Sequence, residues 1–304
     1  MKTYLKFFFN FMFLIICGHV FAQGNEDARA LVKEGIQFNN QGKYAEAIEK
    51  YNQALKIDTG NYYADYQLAS TLFNMNRGNE GIPLLQKVIR SDSSLRAAAY
   101  DLLGFTWFRE KKYIEAENCA VEVLKLNPKQ AGSQRMYALV AFHQNKRAAA
   151  LLGFCSFILL EPNTARSVEA YGNIQHILTG GVLKPEPGVV LPPLDADNIA
   201  LNQAITKAVA EAAKMKYNTE ADLLAAQLKN IFIAIGQLAE KQTGNDFFRN
   251  YMAGYFYKLA QSNNMPAFAR FLNQINRESA KWINDNPRYM NDLYSWVRTS
   301  ERGF

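Results

Sequence analysis

Chemistry-bearing side chains are scarce in this 304-residue sequence, which contains only three cysteines and three histidines. Cys17 and His19 fall in an N-terminal leader, so a processed chain keeps Cys119, Cys155, His143 and His176. No HExxH and no paired CxxC spacing occurs, which excludes the common zinc arrangements. A glycine-rich phosphate loop and a GxSxG nucleophile turn are also missing, and Gly180, Gly181 and Gly188 are not spaced as either. Carboxylates such as Asp195 and Asp197 sit in a proline-rich stretch and read as helix caps rather than as an acid–base pair. The expectation is a protein with no catalytic set, no metal and no cofactor.

Charge of one sign is lacking too. The chain has 34 Lys+Arg against 28 Asp+Glu, and without the leader's Lys2 and Lys6 the balance is 32 − 28 = +4. No Lys/Arg block marks a phosphate track, so nucleic acid is not an expected partner. With 18 Gly and 9 Pro the chain is neither collagenous nor low-complexity, and 49% apolar residues suit a globular core. Long apolar runs are confined to the start. Phe7 to Cys17, broken only by Asn10, follows two lysines and precedes Val20-Phe21-Ala22. That pattern reads as a signal peptide over residues 1–22, cut before Gln23, and it predicts an exported protein that is periplasmic, outer-membrane-associated or extracellular. The run is shorter than the ~20 residues a membrane span needs. The nearest later stretch, Ile231 to Ala239, is interrupted by Gly236 and Gln237. Cys119 and Cys155 are expected as buried free thiols.

What is present is a repeat. Gly35, Ala69, Gly104, Ala138 and Gly172 recur at intervals of 34, 35, 34 and 34, each within an amphipathic stretch. Ala47, Gly81, Ala116 and Ala150 repeat the spacing twelve residues later. Tyr51, Leu85, Ala120 and Phe154 follow, then Ala54, Val88, Val123 and Phe157, and the units close at Thr59, Ser93, Pro128 and Pro162. Small side chains at a fixed period let two helices cross closely, and a proline just past a helix end stops it. The segments GKYAEAIEKYNQALKID (42–58) and KKYIEAENCAVEVLKLNP (111–128) resemble the tetratricopeptide repeat family. The resemblance covers 28–61, 62–96, 97–130 and 131–164, plus the first helix of a fifth unit at 165–179. It implies an all-α fold: a right-handed superhelix of four repeats and a partial fifth over 23–180.

A helix pair cannot bury its own apolar face, so stacking neighbours makes the core and leaves a concave face lined by first helices. The resemblance places protein or peptide binding there. Counting from the crossing residues, the groove candidates are Tyr63, Tyr66, Phe73, Phe108, Arg109, Arg135, Phe142 and His143, with Val32 and Ile36 on the same side. The Lys/Asn/Arg clamp of chaperone-binding members is absent, because its places hold Val32, Ile36, Gln67, Ala98 and Leu102.

Four prolines between Pro185 and Pro193 mark 181–197 as a linker or strap, which its apolar residues should pack onto something. Residues 198–304 return to helical periodicity and predict a compact helical domain, dense in aromatics. Its run DFFRNYMAGYFYKLAQSNNMPAFARFL, with Trp282 and Trp296, resembles the C-terminal part of exported tetratricopeptide proteins of Bacteroidetes-type bacteria, which implies no activity. The expected function is an exported, non-enzymatic scaffold binding a peptide segment or protein partner in a cell-envelope complex. Two other readings stay open. In one, the C-terminal domain is a small hydrolase or glycan-binding unit docked by the repeats; in the other, the protein is an assembly piece whose groove is filled by itself.

Overall fold

The computed structural model describes residues 26–91, 94–181, 183, 188–241, 243–244 and 247–302. The signal peptide read at 1–22 lies outside the described residues. Helix α1 covers 26–40 and is followed by α2 (Tyr44–Ile57), α3 (Tyr62–Asn74), α4 (Gly78–Arg90), α5 (Arg96–Arg109), α6 (Tyr113–Leu126), α7 (Ala131–His143), α8 (Arg147–Leu160) and α9 (Ala165–Leu178). These are four helix pairs and the first helix of a fifth, in the register that the 34-residue spacing predicts.

Each hairpin turns by the same device. Gly42, Asn76, Lys111 and Asn145 have φ of 73°, 59°, 58° and 56°. The amide that follows each donates back across the turn: Lys43 to Phe38 O, Arg77 to Leu72 O, Lys112 to Trp107 O and Lys146 to Ala141 O, at 2.8–2.9 Å. A left-handed residue bonded in this way satisfies carbonyls that the helix end would otherwise orphan. Glycine and asparagine tolerate that conformation. Lys111 has a Cβ that opposes it and is held there by the turn.

The described residues form two compact units, one ending at Thr106 and the other beginning at Trp107. In the first, Gly35 faces Tyr51, whose ring would lie 2.5 Å from a Cβ added at Gly35, and a Cβ at Gly81 would come within 3.1 Å of Ala69 Cα. Tyr51 is fully buried with Ala28, Val32, Ala47, Ala54, Ala64, Leu68 and Leu72 around it. Asp65 is buried beneath Lys87, whose Nζ sits 2.6 Å from Oδ2.

In the second unit, a Cβ at Gly153 would meet Ala138 Cβ at 2.8 Å and Cα at 3.0 Å. The close crossing of the fourth pair therefore runs through Gly153, although Ala150 is buried too, as are Gly104, Ala116 and Ala47. Gly172 corrects the sequence reading. It is exposed with nothing within 4 Å of an added Cβ. Its unit has only a first helix, so no second helix of its own crosses it.

The C-terminal helices are α10 (Ala196–Ala212), α11 (Glu220–Ala239), a π-helical stretch Phe247–Ala253, α12 (Gly254–Gln261), α13 (Met265–Leu272), α14 (Arg277–Asp285) and α15 (Pro287–Thr299). Asp195, Thr219 and Asn276 accept from first-turn amides and fix the starts of α10, α11 and α14. Helix α13 stops at Leu272, and α14 begins separately at Arg277. Compactness does not follow the composition boundary at 181–197. One apolar core runs from Tyr113 through α7, α8 and α9 into α10–α13 and on to Leu293. Helix α8 is its axis, buried from Arg147 to Ile158, because its sequence RAAALLGFCSFILL is apolar on every side. Tyr251 of the π-helical stretch donates to Pro128 O at 2.7 Å and accepts from Gln134 Nε2 at 2.7 Å, tying the C-terminal helices to α7. Leu183, Val189 and Leu191 of the strap pack on this core, whereas Val190 is 94% exposed.

Candidate functional site

An open groove of about 640 Å³ lies between α1 and the start of α3. Val32 and Ile36 form its apolar side, and Tyr62 and Tyr63 stand at the other. The turn that presents the tyrosines is fixed by two short bonds. Asp58 Oδ1 accepts from Gly60 N and Asn61 Oδ1 accepts from Ala64 N, each at 3.0 Å. Lys87 Nζ, donating to Thr59 O at 2.7 Å, lies 5.8 Å from the Tyr62 ring centre and steadies it. Tyr63 is 46% exposed. Arg29 and Lys33, one helical turn apart on α1, line the groove and are exposed, with Asp58 as the acidic group among the lining residues. The lining is thus apolar and aromatic, with a net positive edge.

Tyr66 lies half-buried next to this region. Burial pushes its phenol above the ordinary range, and Asp101 and then Tyr63 push the same way. It stays protonated at neutral pH and offers a donor. Phe73 is also half-buried, and its ring lies 3.4 Å from the position of a Cβ at Gly78.

The candidates of the second unit fare differently. Phe108, Tyr113 and His143 form one aromatic cluster. The Tyr113 and His143 rings stack at 4.7 Å, and Phe108 lies 5.7 Å from Tyr113 and 5.6 Å from His143. Arg135 pairs with Glu169 at 2.8 Å and joins α7 to α9, its side chain only 24% exposed. Arg109 is exposed. Phe142 corrects the expectation of a groove residue. It is 6% exposed and lies edge-on to Phe154 at 5.8 Å and His176 at 5.7 Å. An aromatic at helical spacing is equally suited to a groove or a core, and here α8 and α9 close over it. Sequence reasoning overlooked Arg29, Lys33 and Tyr62. Their signal was present: two cations four residues apart, and a tyrosine pair just after a capping asparagine.

Nucleophilic chemistry finds no support in the thiols. Cys119 and Cys155 are free and buried. Burial, with Glu122 and Glu115 adding to it, pushes the Cys119 thiol up to about 12, and burial raises Cys155 against the pull of Arg302. A raised thiol pKa means less thiolate at any given pH. At pH 7.5 a maleimide is expected to modify neither Cys119 nor Cys155 in the folded protein and both of them in denaturant, as mass spectrometry would show. Rapid labelling of the native chain would contradict the buried placement. Among the described residues no three His, Cys, Asp or Glu side chains converge as a metal site, and no helix is long and apolar enough to cross a membrane.

Comparison with known proteins places a tetratricopeptide repeat at residues 40–104, which spans α2, α3, α4 and most of α5. Three solved structures show partial likeness. MamA protein is 23% identical with a TM-score of 0.46, covering 49% of this chain and 79% of its own. PilF of Pseudomonas aeruginosa is 16% identical at 0.45, covering 79% and 98%. A tetratricopeptide repeat protein from Parabacteroides merdae is 13% identical at 0.46, covering 81% and 99%. At these levels the likenesses bear on neither function nor partner. No curated protein matches the chain.

Proposed function

Since the chain carries tetratricopeptide repeats, a helical scaffold suited to contact with other proteins, we propose that it is an exported, non-enzymatic receptor that captures an extended segment of a protein partner in the cell envelope. The observation that carries this reading is the groove between α1 and α3, with its apolar side, exposed tyrosine and two cations. Tyrosine rings bury area at little conformational cost, and the flanking turns fix them before a ligand arrives. The net positive edge favours a segment in which an acidic side chain lies next to an apolar one.

Photocrosslinking tests this in the native cell. A photoreactive residue in place of Tyr63 should yield one reproducible protein adduct, and the same residue in place of the exposed Ile57 of α2 should not. Equal adducts at both positions, or none at Tyr63, would count against the groove. Fractionation with N-terminal sequencing tests export, for which the expected mature start is Gln23.

A further inference from the structure

A separate cluster of aromatic rings surrounds the Arg302 side chain in the unit that begins at Trp107. Beyond α15, Ser300, Glu301 and Arg302 are irregular, and the Arg302 side chain returns to the core. Its guanidinium carbon stands 4.0 Å from the Tyr255 ring centre, 5.0 Å from Tyr251 and 5.7 Å from Phe256. Nη1 donates to Ser156 Oγ of α8 at 2.9 Å and lies 3.9 Å from Met252 Sδ.

Two features distinguish this from an ordinary surface contact. First, the walls are held by their own packing. Tyr251 is anchored by Pro128 O and Gln134 and stacks on Phe247 at 4.9 Å. Tyr255 meets Trp296 at 5.0 Å, and Phe256 meets Phe232 at 4.9 Å and Phe268 at 6.2 Å. All three rings are at most 3% exposed. Second, these partners of the guanidinium are aromatic rings, the phenol groups of Tyr251 and Tyr255, the Ser156 hydroxyl and the Met252 thioether, with no carboxylate among them. Burial keeps the two phenols above their ordinary range even beside the cation, so neither becomes an anion near neutral pH. Such a site favours a planar, weakly hydrated cation over the compact, strongly hydrated ammonium of lysine.

We propose that Tyr251, Tyr255, Phe256 and Ser156 form a guanidinium-recognition site, filled within the chain by Arg302 and open to an arginine side chain of a protein partner when that segment withdraws. Arg302 is then an internal competitor, reached by a short irregular segment. Binding of an outside arginine requires displacing it.

Chemical rescue of the full-length chain tests the assignment. Arg302→Ala leaves the walls intact and removes the internal occupant. N-acetylarginine amide should bind this variant saturably in the millimolar range, followed by Trp296 fluorescence and by a rise in melting temperature. N-acetylcitrulline amide, the neutral isostere, and N-acetyllysine amide should bind at least about tenfold more weakly, a factor between those of exposed and of desolvated cation–aromatic contacts. The wild-type chain should show no saturable binding at the same concentrations. Equal response to arginine and citrulline would overturn the site, as would wild-type binding equal to that of the variant. Should Arg302→Ala not fold, Arg302→Gln gives the same comparison while keeping a donor near Ser156. The outcome is independent of the groove between α1 and α3.

Discussion

Substituting Gly153 by valine is expected to destabilise the second unit by about 3 kcal/mol, the upper end of what overpacking a tight core costs. The reason is geometric. A single Cβ at this position would lie 2.8 Å from Ala138 Cβ and 3.0 Å from Ala138 Cα. Backbone does not yield as a flexible side chain does, so α7 and α8 would have to separate. For a unit of this size the melting temperature should fall by roughly 6–12 °C. Gly172→Ala provides the opposite control. That glycine is exposed on α9 with open space around it, so alanine should stabilise by about 0.5–1 kcal/mol through better helix propensity. Two glycines of one repeat array thus carry effects of opposite sign, and a thermal melt of each variant distinguishes them.

The second large effect separates core from groove among residues that look alike in sequence. Phe142→Ser should cost about 3–5 kcal/mol, the range for deleting a buried aromatic, because it removes the ring packed against Phe154 and His176. Tyr63→Ser should change stability by no more than about 0.5 kcal/mol, since that ring is 46% exposed. Denaturant titration of both proteins checks the contrast. A large loss at Tyr63 would mean that it supports the fold rather than a ligand.

The helix pairs were legible in the sequence because one physical requirement, a small side chain wherever two helices cross, recurs at a fixed period. The requirement does not say which of several neighbouring small residues makes the closest approach. Gly153, which the period did not mark, leaves no room for a Cβ against Ala138, and Gly172 has no crossing helix to serve. The groove was legible by face, through Val32, Ile36 and Tyr63. It was not legible by depth, because an aromatic faces outward or inward according to what a later part of the chain covers. Phe142 lies under α8 and α9 for that reason. The all-round apolar sequence of α8 already indicated a helix enclosed on every side, and the C-terminal helices supply part of that enclosure. The π-helical stretch at Phe247–Ala253 left no sequence trace; within it Tyr251 bonds to Gln134 and Pro128, residues distant in the chain.

The proposed receptor role is tested most directly by calorimetric titration of the partner segment captured at Tyr63 against the wild-type chain and the triple variant Arg29→Glu, Lys33→Glu, Tyr63→Ser. The account predicts at least about a thirtyfold loss of affinity, equivalent to about 2 kcal/mol for a binding hot spot, with the melting temperature unchanged. Undiminished affinity in a triple variant that folds normally would contradict it.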